Sequence, residues 1–269
     1  MVLKLAIYGN FRYMIFLKNI ISGVFFSISI SLLAISCSNS PSIGEIDYED
    51  EYDTGKELFL KKKYSRAQEN FNRVVIGASH TELGDDALFF LGETYFLQKD
   101  YLLAIEEYDK LIRRMQFSPY VEKARYRICE SYVLLSPKYF HEQTYSEKAL
   151  SKLQEYIDDY PQSKNRQKAQ DDITSIRNKL SRKAYESGVL YIKMEEFKAA
   201  LLSFEQIIEL YYDTEYFGFA HMKIIACYIH QKDFDKARIY YEDNRQFIKD
   251  IKMTYLVDDW FIKKRVYEL

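Results

Sequence analysis

Apolar and polar positions follow a helical period along most of the 269-residue chain. Between Ser163 and Lys193 the apolar residues Ile173, Ile176, Leu180, Ala184, Tyr185, Val189 and Tyr191–Ile192 recur at helical spacing, with no proline and only Gly188. This predicts one long helix, or two nearly continuous ones, reaching up to ~45 Å at ~1.5 Å per residue. On either side the pattern comes in copies. An aromatic followed three positions later by alanine recurs at Tyr64/Ala67, Tyr101/Ala104, Phe197/Ala200 and Phe234/Ala237, and the first two and last two copies are each 37 residues apart. Four residues after each alanine stands Phe71, Tyr108, Phe204 or Tyr241, and nine before it stands Leu58, Tyr95, Tyr191 or Tyr228. Twelve before it stands Gly55, Gly92 or Gly188, with Ile225 the exception. A fifth, looser copy uses Cys129, Tyr132, Tyr145, Ala149 and Pro161, lengthened by a loop over Ser136–Thr144.

This set of columns resembles the tetratricopeptide repeat, a helix–turn–helix unit of about 34 residues. The small residues let paired helices approach closely, and the aromatics fill the space within and between units. The implied fold is an all-α solenoid of about five repeats over roughly residues 46–250, in two lobes joined by the long helix. Repeats 1–3 occupy 46–162, and the linking helix with repeats 4–5 occupies 163–250. The tail 251–269 reads as a capping helix, because a solenoid end exposes an apolar face. The sharper alternative makes its Trp260 and Phe261 a partner-docking site, since aromatics often anchor interfaces.

The N-terminal segment has a different grammar. Residues 1–36 carry Lys4, Arg12 and Lys18 and no acid, followed by an apolar run from Ile20 to Ser36. A basic start, an apolar stretch and small residues at the junction describe a secretory signal, whether translation begins at Met1 or Met14. The junction Leu33-Ala34-Ile35-Ser36-Cys37-Ser38 resembles a bacterial lipobox, which implies cleavage before Cys37 and acylation of that cysteine; Ala34 is a mild departure. Ser38 after the cysteine implies sorting to an outer membrane. The alternative is an uncleaved N-terminal anchor, since ~18 apolar residues can just span a bilayer. Residues 37–45 would form the lipidated cysteine and a flexible tether.

Composition narrows the choice. Nine glycines and four prolines in 269 residues fall well below the roughly 12% that the pair takes in an average protein. So few breakers argue against the many tight hairpins of a sandwich or barrel. The 25 tyrosines and 18 phenylalanines make the packing unusually aromatic. With 38 Lys+Arg against 40 Asp+Glu, the chain lacks the basic face that nucleic acid requires. Removing residues 1–36 takes three positive charges from a net of −2 and leaves −5. His80, His141, His221 and His230 form no HExxH motif, and no phosphate loop or GxSxG elbow is present. No catalytic or metal site is expected, nor any cofactor beyond the covalent lipid on Cys37. Cys129 and Cys227 fall in packing stretches and read as small buried hydrophobes.

A solenoid offers a surface, and in this repeat type the first helices line the concave groove. Counting from the small column puts Tyr52, Lys56 and Phe59 there in repeat 1, Phe89, Glu93 and Phe96 in repeat 2, and Lys123, Tyr126, Arg127 and Glu130 in repeat 3. Such a stripe suits a peptide with aromatic side chains. Lys123 and Arg127 lie one turn apart and match two positions that clamp a terminal carboxylate in some peptide-binding repeat proteins; Tyr52 and Phe90 depart from that clamp. The alternative is that Arg127 pairs with Glu130 on a solvated face.

The lipobox, the short tether and five repeats together resemble the BamD family, most closely from Tyr160 to Leu201, with Pro161, a long helix, Tyr191 and Phe197-Lys198-Ala199-Ala200. The resemblance implies a non-enzymatic scaffold on the periplasmic face of the outer membrane. Its C-terminal repeats would hold the BamA-like barrel-assembly subunit, and its N-terminal repeats would receive C-terminal peptides of nascent outer-membrane proteins. The alternative is another repeat lipoprotein, serving cell-wall or division machinery.

Overall fold

The computed structural model describes residues 47–79 and 81–248; Cys37, Trp260, Phe261 and the expected capping segment lie outside the described residues. Among the described residues there are ten α-helices and no strand. They are α1 (Tyr48–Leu60), α2 (Tyr64–Gly77), α3 (Glu82–Gln98), α4 (Tyr101–Arg114), α5 (Val121–Leu135), α6 (Thr144–Asp159), α7 (Arg166–Lys193), α8 (Phe197–Leu210), α9 (Tyr216–His230) and α10 (Phe234–Asn244). A 3₁₀ turn, Arg245–Phe247, follows. None of these helices is long and apolar enough to cross a membrane.

Each aromatic–alanine copy opens the second helix of a pair, so α1/α2, α3/α4, α5/α6, α7/α8 and α9/α10 are five repeats. Every substantial helix contact joins elements adjacent in the chain or one helix further on. That is the quasi-one-dimensional packing of a solenoid. The small column explains how each pair closes. A Cβ on Gly55 would sit 2.9 Å from the Phe71 ring, one on Gly92 2.6 Å from Tyr108, and one on Gly188 2.5 Å from Phe204. Each glycine therefore receives the aromatic that stands four residues after the alanine of its own repeat. In repeat 3 the column holds Cys129, packed in one cluster with Leu153, and in repeat 5 it holds Ile225, packed with Tyr241.

The core runs as successive clusters. The first is built by α2–α5 around Phe71, Phe89 and Tyr108, with Tyr52 and Phe59 of α1 against it. The second joins α5 and α6 to Ile173, Ile176 and Leu180 of α7, and the third takes up Ala184 of α7 with α8 and α9. The predicted long helix is thus α7, 28 residues without a break, and it is also the first helix of repeat 4. Its middle is fixed to the turn before α9, where Ser181 and Thr214 hydroxyls lie 2.8 Å apart and Arg177 donates to both oxygens of Asp213.

The expected inserted loop occupies residues 136–143 between α5 and α6. It is held from within and from α7. The Gln143 amide donates to the carbonyls of Lys138, Tyr139 and His141, while Lys179 donates to Ser136 and Lys183 to the His141 carbonyl.

The turns inside the repeats hold a feature that composition concealed. Lys62, Lys99, Glu195 and Lys232 all take left-handed backbone, with φ of 58°, 68°, 60° and 61°. In each, the next amide reaches back to the helix, as Asp100 N does to the Tyr95 carbonyl at 2.9 Å. These are Schellman closures, a position that usually belongs to glycine. No described glycine has positive φ. Among the described residues the glycines serve close packing, and charged residues make these turns.

Candidate functional site

The first helices of repeats 1–3 present one face, carried by α1, α3 and α5. At its centre is Phe90, which packs against Tyr52, Phe59, Phe71, Phe89 and Tyr120 at centroid distances of 5.5–6.3 Å. Lys56 lies 3.6 Å from the Phe90 centroid and 5.7 Å from that of Tyr52. The Tyr52 hydroxyl donates to Asp86 at 3.1 Å, and burial, then the Asp86 charge, push the Tyr52 pKa up. Burial likewise raises the Asp86 carboxyl, against the bond from Tyr52.

Beside this cluster is a charge network. Glu93, 5% exposed, accepts from Arg127 Nε at 2.7 Å, from Arg127 Nη2 at 2.9 Å and from the Tyr108 hydroxyl at 2.6 Å. Arg127 Nη1 donates to Glu130 at 2.8 Å, and Lys168 of α7 donates to the other Glu130 oxygen. The guanidinium also lies 4.5 Å from the Phe96 centroid. Burial opposes the charge on Arg127, but the hydrogen bonds and charge of Glu93 outweigh it and raise the pKa. One buried carboxylate, satisfied three times, ties α3, α4 and α5 together.

The site residues expected from spacing divide accordingly. Tyr52, Lys56, Phe59 and Phe96 are half-buried on the face, and Lys123 is exposed. Phe89 is a correction: it is 0% exposed, stacked on Tyr120 at 4.4 Å with Lys123 4.5 Å from its centroid. Tyr126 is another, 6% exposed and packed against Tyr156 at 5.2 Å. Both lie on the expected side of their helices but beneath the surface, because Tyr120 covers Phe89, and Tyr156 of α6 with Lys168 of α7 covers Tyr126. Of the two readings for Arg127, pairing with Glu130 is present, and Glu93 completes it. Spacing brings Phe90 to this face only as a departure from the carboxylate clamp and does not point to Tyr120 or Lys168 at all; the Phe89–Phe90 doublet is the signal for the first.

The two described cysteines are buried thiols. Burial pushes Cys129 up to about 12 and Cys227 up to about 11. No group of three or more His, Cys, Asp or Glu among the described residues is arranged to hold a metal.

A chain of five such helix pairs, closed by small residues against aromatics, is, as a class, a tetratricopeptide-repeat protein. The family model described as YfiO, outer membrane lipoprotein, matches residues 45–238, and the chain belongs to that BamD-like family. Two curated relatives are both named outer membrane protein assembly factor BamD. The one from Rickettsia prowazekii is 24% identical over 70% of this chain and 75% of its own length. The one from Caulobacter vibrioides is 22% identical over 66% of this chain and 58% of its own. Among solved structures, a thermophilic tetratricopeptide-repeat protein from Thermus thermophilus is 20% identical, covering 80% of this chain and 99% of that one, with a TM-score of 0.33.

Proposed function

We propose that this chain is a non-enzymatic scaffold and substrate receptor in the assembly of outer-membrane β-barrel proteins. Lipid on Cys37 holds it to the periplasmic face of the outer membrane, and residues 38–45 tether the repeats. The first-helix face of repeats 1–3 captures an extended peptide signal from the C-terminal end of a nascent barrel protein. Repeats 4–5, with Trp260 and Phe261, dock the barrel-folding subunit. The observation that carries the reading is the membership of a family of outer membrane lipoproteins whose curated relatives are named assembly factors. The half-buried Phe59 and Phe96, on first helices of the same lobe as Lys56 and Lys123, support the receptor role. Aromatic side chains bury large area at low entropic cost, which suits capture of an extended segment.

Co-purification tests the scaffold role: recovery with a large barrel subunit is expected, and recovery with peptidoglycan enzymes instead would sink it. Binding of a peptide ending in phenylalanine tests the receptor role. Phe59→Ala with Phe96→Ala is expected to weaken it at least tenfold, and unchanged affinity would remove the groove from the mechanism. Phe89→Ala is unsuited to this purpose because it empties the core. Mass analysis of the mature N-terminus tests acylation of Cys37.

A further inference from the structure

The cations on the first-helix face are of two kinds. Arg127 is paired with acids: Nε, Nη1 and Nη2 each donate to Glu93 or Glu130. Lys168 is bound to Glu130. Arg73 and Arg125, on the neighbouring helix surfaces, are bridged to Glu51 and Asp159. Lys56 and Lys123 differ. Among the described residues neither has a carboxylate within ion-pair distance, and each instead rests against an aromatic ring, Lys56 on Phe90 at 3.6 Å and Lys123 on Phe89 at 4.5 Å. A ring face holds an ammonium in place without neutralising it, so the full charge is kept for another partner. Asp86 accepts from the Tyr52 hydroxyl at 3.1 Å and feels the charge of Lys56 from beyond ion-pair contact.

The two rings are neighbours in the chain, with centroids 5.6 Å apart. The ammonium groups are therefore separated by no more than about 14 Å, which an extended peptide crosses in about four residues. The geometry points to Lys56 and Lys123 as a pair that reads two carboxylates of one extended acidic peptide, in place of the Lys123–Arg127 clamp that spacing alone suggests. This rests on the receptor reading above and gives its ligand a chemistry: two negative charges within about four residues of each other, with apolar side chains beside Phe59 and Phe96. One of the charges can be the chain terminus or both can be side chains; the chemistry is the same.

The test is calorimetric titration of the full mature chain with three synthetic ten-residue peptides. The parent ends in phenylalanine with a free carboxylate and has a glutamate three positions earlier; the second is its C-terminal amide and the third replaces the glutamate by glutamine. Lys56→Ala and Lys123→Ala are each expected to weaken the parent about tenfold, Lys123→Arg to bind as the parent chain does, and Lys152→Ala, on α6 and paired with Glu155, to change nothing. Binding is expected to weaken as salt rises. Loss on amidation assigns one charge to the terminus, and loss on the glutamine change assigns the other to the side chain; both losses, each removed in one of the two lysine variants, support the pair, and loss on one change alone overturns it as a pair. Equal binding of all three peptides, unmoved by either lysine variant, overturns the pair while the groove stands. No binding of any peptide to a chain with intact helical circular dichroism overturns the groove itself, and the pair with it.

Discussion

Glu93 is an acid in the core, 5% exposed, and its cost is met by three donors from two other helices. Removing one partner of such a pair leaves a buried charge uncompensated, at about 3–5 kcal/mol. Arg127→Ala is therefore expected to lower unfolding stability by about 3 kcal/mol, measured in urea, whereas Lys123→Ala, an exposed position, stays within about 0.5 kcal/mol. Equal small effects would show that Arg127 is not the keystone described. A second buried titratable group is His221, 1% exposed, with Nδ1 2.8 Å from the Tyr240 hydroxyl and its ring between Phe217 and Phe247. Burial lowers its pKa from 6.5 to about 4. The unfolded chain then holds the extra proton between those values, so His221 favours the fold fully above pH 6.5 and progressively less as pH falls toward 4. The loss reaches on the order of 3 kcal/mol near pH 4. His221→Gln, which keeps a partner for Tyr240, is expected to give a flatter dependence of Tm on pH between 6.5 and 4; parallel curves would exclude this source. Neither depth was legible in the chain. Helical spacing places Phe89, Glu93 and Phe96 on one side of α3, but which of them is covered depends on Tyr120 and Arg127, some thirty residues away.

At the scale of elements, the repeat columns were legible because each has a contact that enforces it. Gly55, Gly92 and Gly188 are small because Phe71, Tyr108 and Phe204 stand where a Cβ would be. The loop 136–143 was legible as a break in spacing, though the lysines of α7 that hold it were not. The turns were not legible at all. Lys62, Lys99, Glu195 and Lys232 sit at positive φ, and the charged residues there give no local signal of left-handed backbone. An L-residue in that region costs roughly 1–2 kcal/mol, partly offset in glycine by the entropy of the unfolded chain. Lys99→Gly is thus expected to stabilise the fold by about 0.5–1 kcal/mol, and Lys62→Gly with Lys99→Gly by about twice that, since the turns are separate. Denaturant midpoints that fall in the double variant would contradict the turn geometry. A β-branched residue at the same site, as in Lys99→Val, is expected to act in the opposite direction.

For the unit from Tyr48 onward, the question is how far a local defect travels. In a stack whose members touch only near neighbours, stability is a sum of unit and interface terms, so a lesion should loosen its surroundings and spare the far end. Leu111 of α4, 0% exposed, belongs to the first cluster alone. Ile176 of α7, 2% exposed, belongs to the second, but its helix also supplies Ala184 to the third, and Tyr211 packs against both. The adjacent Arg177 adds a hydrogen bond to the Leu210 carbonyl and its bridge to Asp213. Each truncation to alanine removes a comparable apolar volume, at about 2–5 kcal/mol. Their reach should differ. Leu111→Ala is expected to reduce amide-exchange protection in α1–α5 and leave α8–α10 near wild type. Ile176→Ala is expected to reduce it on both sides, in α5–α6 and in α8–α9, because a helix without a break cannot loosen on one side of its middle only. Exchange followed by mass spectrometry on fragments of the two variants distinguishes the cases. Uniform loss in both would make the chain one cooperative block, and loss confined to α5–α7 in Ile176→Ala would mean that the long helix does not couple the clusters it joins.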